Sequence, residues 1–186
     1  MATKSADKWK NKMWFNVYPP KLLGESAIGE IPANDEKVML GKVIKVSMAW
    51  ITHRQEHSFM LVGLRVKSVN GNNANTDLDY IEQTFSYIHS LVKRHSSAIY
   101  TVDSLTDKNG RKFTLKLIAV TSDKIRTPKK TGIRKSLADF NKEFSSSHTV
   151  DELLTAMLDN SFQSEAVRRI TNIAHVNRLE LKKIEL

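Results

Sequence analysis

The side chains best suited to chemistry near the start of this chain are lysines that alternate with aromatic rings. Within residues 7–21, which read DKWKNKMWFNVYPPK, the candidate contact residues are Lys8, Trp9, Lys10, Lys12, Trp14 and Lys21. Ammonium groups neutralise phosphates, and flat aromatic rings stack on unpaired bases. The pattern does not position an acid, a base or a nucleophile. It therefore indicates contact with nucleic acid.

A second candidate contact region is a dense basic cluster in residues 124–135, a stretch that contains no acid. Its members are Lys124, Arg126, Lys129, Lys130, Arg134 and Lys135. Mutual repulsion makes this density unfavourable unless anions lie nearby, so the cluster favours phosphate contact. Lys93 and Arg94 form a smaller candidate, for which two interpretations stay open. They contact phosphate, or they complement the negative end of a helix dipole.

The overall charge agrees with a polyanionic partner. The formal net charge is +9, from 29 lysines and arginines against 20 acids. The positive charge is concentrated, because residues 1–21 hold five lysines and one acid whereas residues 136–170 hold six acids and three bases. Such concentration favours a surface that faces a polyanion. A basic protein with no such partner is the alternative interpretation.

Catalytic and metal-binding patterns are weak in this sequence. There is no cysteine, which excludes disulfides, thiolate zinc sites and cysteine nucleophiles. His53 and His57 have zinc-hydrolase spacing, but that motif needs glutamate directly after the first histidine, where Arg54 stands. We interpret both as exposed loop histidines. Asp77 and Asp79 could hold Mg²⁺, although acids at strand and helix ends commonly serve as caps. The sequence predicts no enzyme, metal site or cofactor.

The elements that carry these residues are predicted from apolar periodicity. Alternation predicts strands over Met13–Tyr18, Gly41–Met48, Phe59–Val69, Ala74–Leu78, Ala98–Thr106 and Arg111–Thr121. A hairpin is expected at Asn70-Gly71 and an irregular connection over Leu23–Asp35. Apolar residues three and four apart predict a helix over about Asp79–His95. The strands and short turns suggest a closed or strongly curled antiparallel sheet.

The character of the chain changes after Thr121. A polar loop over Ser122–Thr131 leads into a predicted helical segment, residues 132–173, in which Thr149 and Glu152 form a capping box. A terminal strand is expected over residues 175–184. The predicted fold is α+β: an antiparallel β-barrel-like core with one inserted helix, followed by the C-terminal helical segment and the final strand. Residues 1–12 are expected to be a flexible basic arm, and residues 13–186 a single RNA-binding domain with a β-rich part, 13–121.

Several of these segments together resemble a known family in their order and spacing. They are Asp7–Lys10, Trp14–Lys21, Ile28–Glu30, Leu40–Val43, Val46–Ala49, Leu91–Arg94, Asp107–Gly110 and Gly132–Lys135. Over nearly its whole length the chain closely resembles a small-ribosomal-subunit protein family shared by archaea and eukaryotes, the S-three-a-e family. Its short length resembles the archaeal members.

The resemblance implies a structural protein bound to rRNA on the platform of the small subunit, near where mRNA leaves. The implied partners are small-subunit rRNA, neighbouring ribosomal proteins and mRNA near the exit. The implied location is the cytoplasmic ribosome, which agrees with the lack of a long apolar segment or a signal-peptide core. An RNA-processing enzyme and a free-standing RNA-binding translation factor stay open as alternatives.

Overall fold

The computed structural model describes residues 12–24 and 26–186, which form two compact units. The first unit ends at Asp79 and the second runs from Tyr80 to Leu186. The predicted basic arm, residues 1–12, lies outside the described residues except for Lys12. The division of the chain into an arm and a single RNA-binding domain stays a prediction.

The first unit is a five-stranded sheet with short helices. Its elements are β1 (Met13–Tyr18), β2 (Gly29–Ala33), α1 (Glu36–Met39), β3 (Val43–Ser47), α2 (Met48–Thr52), a 3₁₀ turn (Gln55–His57), β4 (Met60–Asn70) and β5 (Asn73–Gln83), whose last residues belong to the second unit. The strand order is β2-β1-β5-β4-β3, and β1 pairs with β5 in parallel. Phe15, Met39 and Val66 belong to its core.

The second unit places four helices beside an antiparallel sheet. After β5 come α3 (Phe85–Leu91), β6 (Ser97–Thr106), β7 (Lys112–Thr121), α4 (Thr127–Ser147), α5 (Val150–Leu158), α6 (Ser161–Ile170) and β8 (Val176–Glu185). The strand order is β5-β8-β7-β6. Phe140 of α4 and Phe162 of α6 are buried with ring centroids 5.2 Å apart. Ile88 of α3 packs on Ile118 and Val120 of β7.

The predicted α+β class, the helix inserted among the strands, the helical segment and the final strand are confirmed. The predicted core was barrel-like. In the described residues the strands of each unit form an open sheet, so a closed barrel is not found. The irregular connection predicted over Leu23–Asp35 is wrong in part, because it contains β2. Gly29 and Pro32 suggested a loop, yet proline is tolerated on an edge strand, and β2 is the edge.

Two helix boundaries also differ from the prediction. Residues 79–83, predicted as helix, continue β5, because Tyr80–Glu82 pair with Lys183–Glu185 at the other end of the chain. Phe85 is 76% exposed, so the apolar spacing through it does not mark a buried helical stripe. The helix α4 begins at Thr127, inside the predicted loop. Pro128 occupies its first turn, where the fixed φ of proline and its missing N–H suit a helix start.

Candidate nucleic-acid interface

The predicted basic cluster spans the start of α4 in the second unit; we call residues 124–135 the basic segment. Lys124 and Arg126 lie in the loop after β7 and are exposed. Lys129 and Lys130 stand in the first turns of the helix, and Arg134 and Lys135 lie on its next turn. The buried residues of this part of α4 are Ile133 and Leu137, which direct most of the cations to solvent. The structure therefore brings all six predicted residues together.

These cations are poorly placed for the stability of their own helix. The N-terminus of a helix carries a partial positive charge, which favours acids there. Yet α4 has no acid in its first turn and no side-chain hydrogen bond at its N-cap, Arg126. Within residues 12–24 and 26–186, none of the six cations of the segment has an ion-pair partner. The segment is therefore a local concentration of positive charge that no ion pair with a described residue neutralises.

In the neighbouring helices α5 and α6, the charged residues at the helix ends complement the helix dipole. Helix α5 begins with the predicted capping box, in which the Thr149 hydroxyl accepts from the Glu152 amide and the Glu152 carboxylate accepts from the Thr149 amide at 2.8 Å. These hydrogen bonds lower the pKa of Glu152. Helix α6 carries Arg168 and Arg169 in its last turn. Charge placement that suits the helix dipole is therefore available in this protein, and α4 departs from it.

Among the six cations of the basic segment, Arg134 alone makes a side-chain hydrogen bond to another described residue. Its Nε donates to the backbone carbonyl of Tyr100 on the edge strand β6, at 3.3 Å. The Tyr100 ring is 44% exposed, and the Lys182 Nζ lies 4.8 Å from its centroid. Neither Tyr100 nor Lys182 was predicted as a contact residue from the sequence. The signal was available for Tyr100, an aromatic residue at an outward position of an alternating strand.

Lys93 and Arg94 lie beyond the end of α3 and are exposed. The helix ends at Leu91, so these cations do not occupy its last turn, where an interaction with the dipole is strongest. The turn is closed by the Ser96 hydroxyl, which donates to the Lys93 carbonyl at 2.7 Å. Of the two interpretations, the one based on the helix dipole is weakened. Phosphate contact by these two side chains stays a prediction.

In the first unit, β1 places two adjacent aromatic residues on opposite faces. Phe15 is fully buried, whereas Trp14 is 55% exposed on the other face of the strand. Lys12 precedes the strand, and Lys21 is exposed in the turn after Pro19-Pro20. Lys8, Trp9 and Lys10 lie outside the described residues. Contact of these side chains with RNA stays a prediction.

The candidate carboxylates are paired with cations across the β4–β5 hairpin. Lys67 Nζ lies 2.7 Å from Asp77, and Arg65 lies 2.7 Å from Asp79. The acids are therefore in mid-strand ion pairs rather than caps, which corrects that interpretation. No group of three or more histidines, cysteines and acids that could hold a metal occurs in the described part of the chain.

The prediction that both loop histidines are exposed is wrong for His57. This residue is 5% exposed, and its Nδ1 lies 3.0 Å from the Thr52 hydroxyl. The hydrogen bond satisfies a polar ring that the 3₁₀ turn buries. His53 is exposed, as predicted, in the left-handed conformation that ends α2.

Two lysines of the second unit are paired with two acids. We call Glu82, Lys116, Lys183 and Glu185 the paired network. Glu185 lies 2.9 Å from Lys183 and 3.0 Å from Lys116, and Lys183 lies 3.7 Å from Glu82. Its hydrogen bonds to Lys183 and Lys116 lower the pKa of Glu185. The hydrogen bond that Lys183 donates to the Glu185 carboxylate raises the pKa of Lys183. This network neutralises itself and leaves no strong local charge.

No helix in the described residues has the length and apolar character needed to cross a membrane.

Comparison with known proteins identifies the relatives of this chain. Residues 1–186 match the family model described as the Ribosomal S3Ae family. Three similar proteins, each called small ribosomal subunit protein eS1, come from Methanococcus vannielii, Pyrobaculum neutrophilum and Staphylothermus marinus. They are 28%, 30% and 31% identical, over 97%, 100% and 97% of this chain and 82%, 84% and 85% of their own lengths. The resemblance to an archaeal small-subunit ribosomal family is confirmed.

Proposed function

The chain belongs to the Ribosomal S3Ae family, and on that premise we propose that it binds rRNA as a structural protein of the small ribosomal subunit. The basic segment is the contact that we assign first. Its cations bind phosphates of the RNA backbone and release condensed counterions, which gives affinity without sequence specificity. Family membership supports the ribosomal role in translation. The cations of the basic segment attach the protein to the RNA phosphates.

The observation that supports this assignment is the reversed charge placement in α4. A helix that only needed to fold would place acids in its first turn, as α5 does with Asp151 and Glu152. Lysines at that position cost the isolated protein a small amount of stability. An RNA phosphate at the same place would interact favourably with the lysines, the dipole and the free amides together. The unfavourable arrangement in the free protein becomes a favourable one in the complex.

The finer placement follows the family resemblance. We propose that the protein lies on the platform, near the point where mRNA leaves, with neighbouring small-subunit proteins and mRNA as further partners. Lys93, Arg94, Trp14, Lys21 and the lysines before β1 are assigned to additional RNA contacts. No catalytic role is assigned.

The alternative of an RNA-processing enzyme has no specific support. Asp77 and Asp79 were its candidate carboxylates, and each is occupied by a cation of β4.

Sedimentation of the tagged full-length chain in sucrose gradients tests the proposal. We expect the protein to remain with small subunits through a high-salt wash that removes loosely bound factors. Replacement of Lys124, Arg126, Lys129 and Lys130 by alanine should release it at lower salt, while Lys142→Ala, which removes a cation from the other end of α4, should not. A wild-type protein that sediments free of subunits at low salt would rule out the structural role.

A further inference from the structure

One face of the first unit combines exposed aromatic and amide side chains. Trp14, Asn16 and Tyr18 alternate along β1 on the side opposite the buried Phe15 and Val17. Asn16 and Tyr18 are partly buried, and Trp14 is among the most exposed large side chains of the unit. The alternation therefore aligns two rings and an amide on one outward face.

The neighbouring strand adds two more amides to the same face. Asn73 and Asn75 of β5 are the Cα partners of Asn16 and Tyr18, and both are exposed. Asparagine is depleted in strands because its short polar side chain favours turns. The hairpin loop itself needs only Gly71, at φ +59°, and Asn72. Three asparagines thus occupy strand positions that the turn does not explain.

These amides are available to a ligand. Within the described ranges, the side chains of Asn16 and Asn73 make no hydrogen bond, and the Trp14 ring has no aromatic or cationic partner. Asn75 makes a single long contact, from its Nδ2 to the Ser68 hydroxyl at 3.5 Å. The groups therefore present stacking surfaces, donors and acceptors to solvent rather than to the fold.

We propose that this face, the β1 strip formed by Trp14, Asn16, Tyr18, Asn73 and Asn75, binds unpaired bases of single-stranded RNA. The inference rests on the proposed RNA-binding function and deepens it by naming the class of RNA. Trp14 and Tyr18 are four residues apart, about 14 Å along the strand, so each ring stacks a different base. The amides between them donate to and accept from base edges.

The composition and charge of the strip favour this occupant. The buried core of a protein–protein interface is usually apolar, whereas here amides separate the two rings. A duplex hides the faces of its bases and would leave the rings unused. Lys21 follows β1, and Lys8, Lys10 and Lys12 precede it in the sequence, which supplies cations for the flanking phosphates. Glu30, the Cα partner of Asn16 on β2, can accept from a base amino group.

Tryptophan fluorescence tests the β1 strip directly. The full-length chain has three tryptophans, so replacing Trp9 and Trp50 by phenylalanine leaves Trp14 as the reporter. We expect an unstructured, uridine-rich oligoribonucleotide to quench Trp14, and an RNA duplex of the same total length to leave it nearly unchanged. Equal quenching by both, or by neither, would overturn the proposal.

Affinity measurements on variants of the otherwise wild-type chain complete the test. Trp14→Ala should weaken single-strand binding roughly 5- to 150-fold, the range expected for one lost base stack. Trp14→Phe should restore part of the affinity. Trp50→Ala is the control, since Trp50 is 73% exposed on α2, outside the strip. Equal effects of Trp14→Ala and Trp50→Ala would refute the β1 strip.

The two proposals fail in distinguishable ways. If the chain does not associate with small subunits, the proposed function is wrong. If the chain associates normally and Trp14→Ala leaves its affinity for single-stranded RNA unchanged, the ribosomal role stands and only the β1 strip is refuted.

Discussion

The basic segment and the paired network are two sets of cations in the same unit, and they have opposite surroundings. Lys116 of β7 and Lys183 of β8 are both held by Glu185, and the pKa values of Lys183 and Glu185 shift in the directions that stabilise their charges. Lys129 and Lys130 have no such partner among the described residues, and they stand at the positive end of a helix. The difference indicates that cations of the network support the fold, whereas cations of the segment serve a partner.

A charge reversal in α4 should have opposite effects on stability and on RNA binding. Lys129→Glu places an acid in the first turn, which should raise the free energy of unfolding by about 0.3–1 kcal/mol at low ionic strength. The same change should weaken RNA binding and reduce the slope of log affinity against log salt by about one unit. Urea unfolding and binding titrations measure the two effects.

Lys142→Glu is the matched control, because it reverses one charge in the C-terminal half of the same helix. It should leave RNA affinity nearly unchanged and should not stabilise the protein. If Lys129→Glu strengthened RNA binding or destabilised the fold, the two regions would not differ as we describe.

How far the sequence predicted these regions depends on the range of the interactions involved. The six cations of the segment and the capping box of α5 were found because each depends on neighbours within a few residues. The paired network was not, because β8 joins Glu185 to Lys116 and to the end of β5 only in the folded chain. The same pairing turned residues 79–83 into strand against their helical spacing.

The burial of particular side chains could also be predicted only in part from the sequence. Alternation along a strand lets only one of the neighbours Trp14 and Phe15 face the core, and the structure selects Phe15. His57 looked like an exposed loop residue, yet the 3₁₀ turn buries it against Thr52. Irregular segments have no periodicity from which burial can be derived.

Removal of the cations of the paired network should affect stability and leave binding intact. Lys116→Ala with Lys183→Ala should lower the free energy of unfolding, by roughly 0.2–1 kcal/mol for each partly exposed ion pair lost. Lys112→Ala with Lys182→Ala removes the same charge from β7 and β8 without touching the network, and should cost less. Equal losses in the two variants would show that the ion pairs are not stabilising.

The smallest expected effect is the pH dependence of the network. Because the pKa of Glu185 is lowered in the folded protein, its contribution is present above the unfolded value of about 4.3 and is lost as the pH falls through the folded pKa. The difference in unfolding free energy between wild type and Glu185→Gln should therefore be constant near neutral pH and shrink in acid. A difference that grows below pH 4 would contradict the assigned pKa direction.

The salt dependence of rRNA binding in two charge-matched variants distinguishes the basic segment from the paired network. Lys129→Ala with Lys130→Ala and Lys116→Ala with Lys183→Ala each lower the net charge by two. We predict that the first pair reduces the slope of log affinity against log salt by about two units, and that the second leaves it unchanged. Equal reductions would show that RNA responds only to net charge, and would contradict the assignment of the basic segment as the phosphate contact.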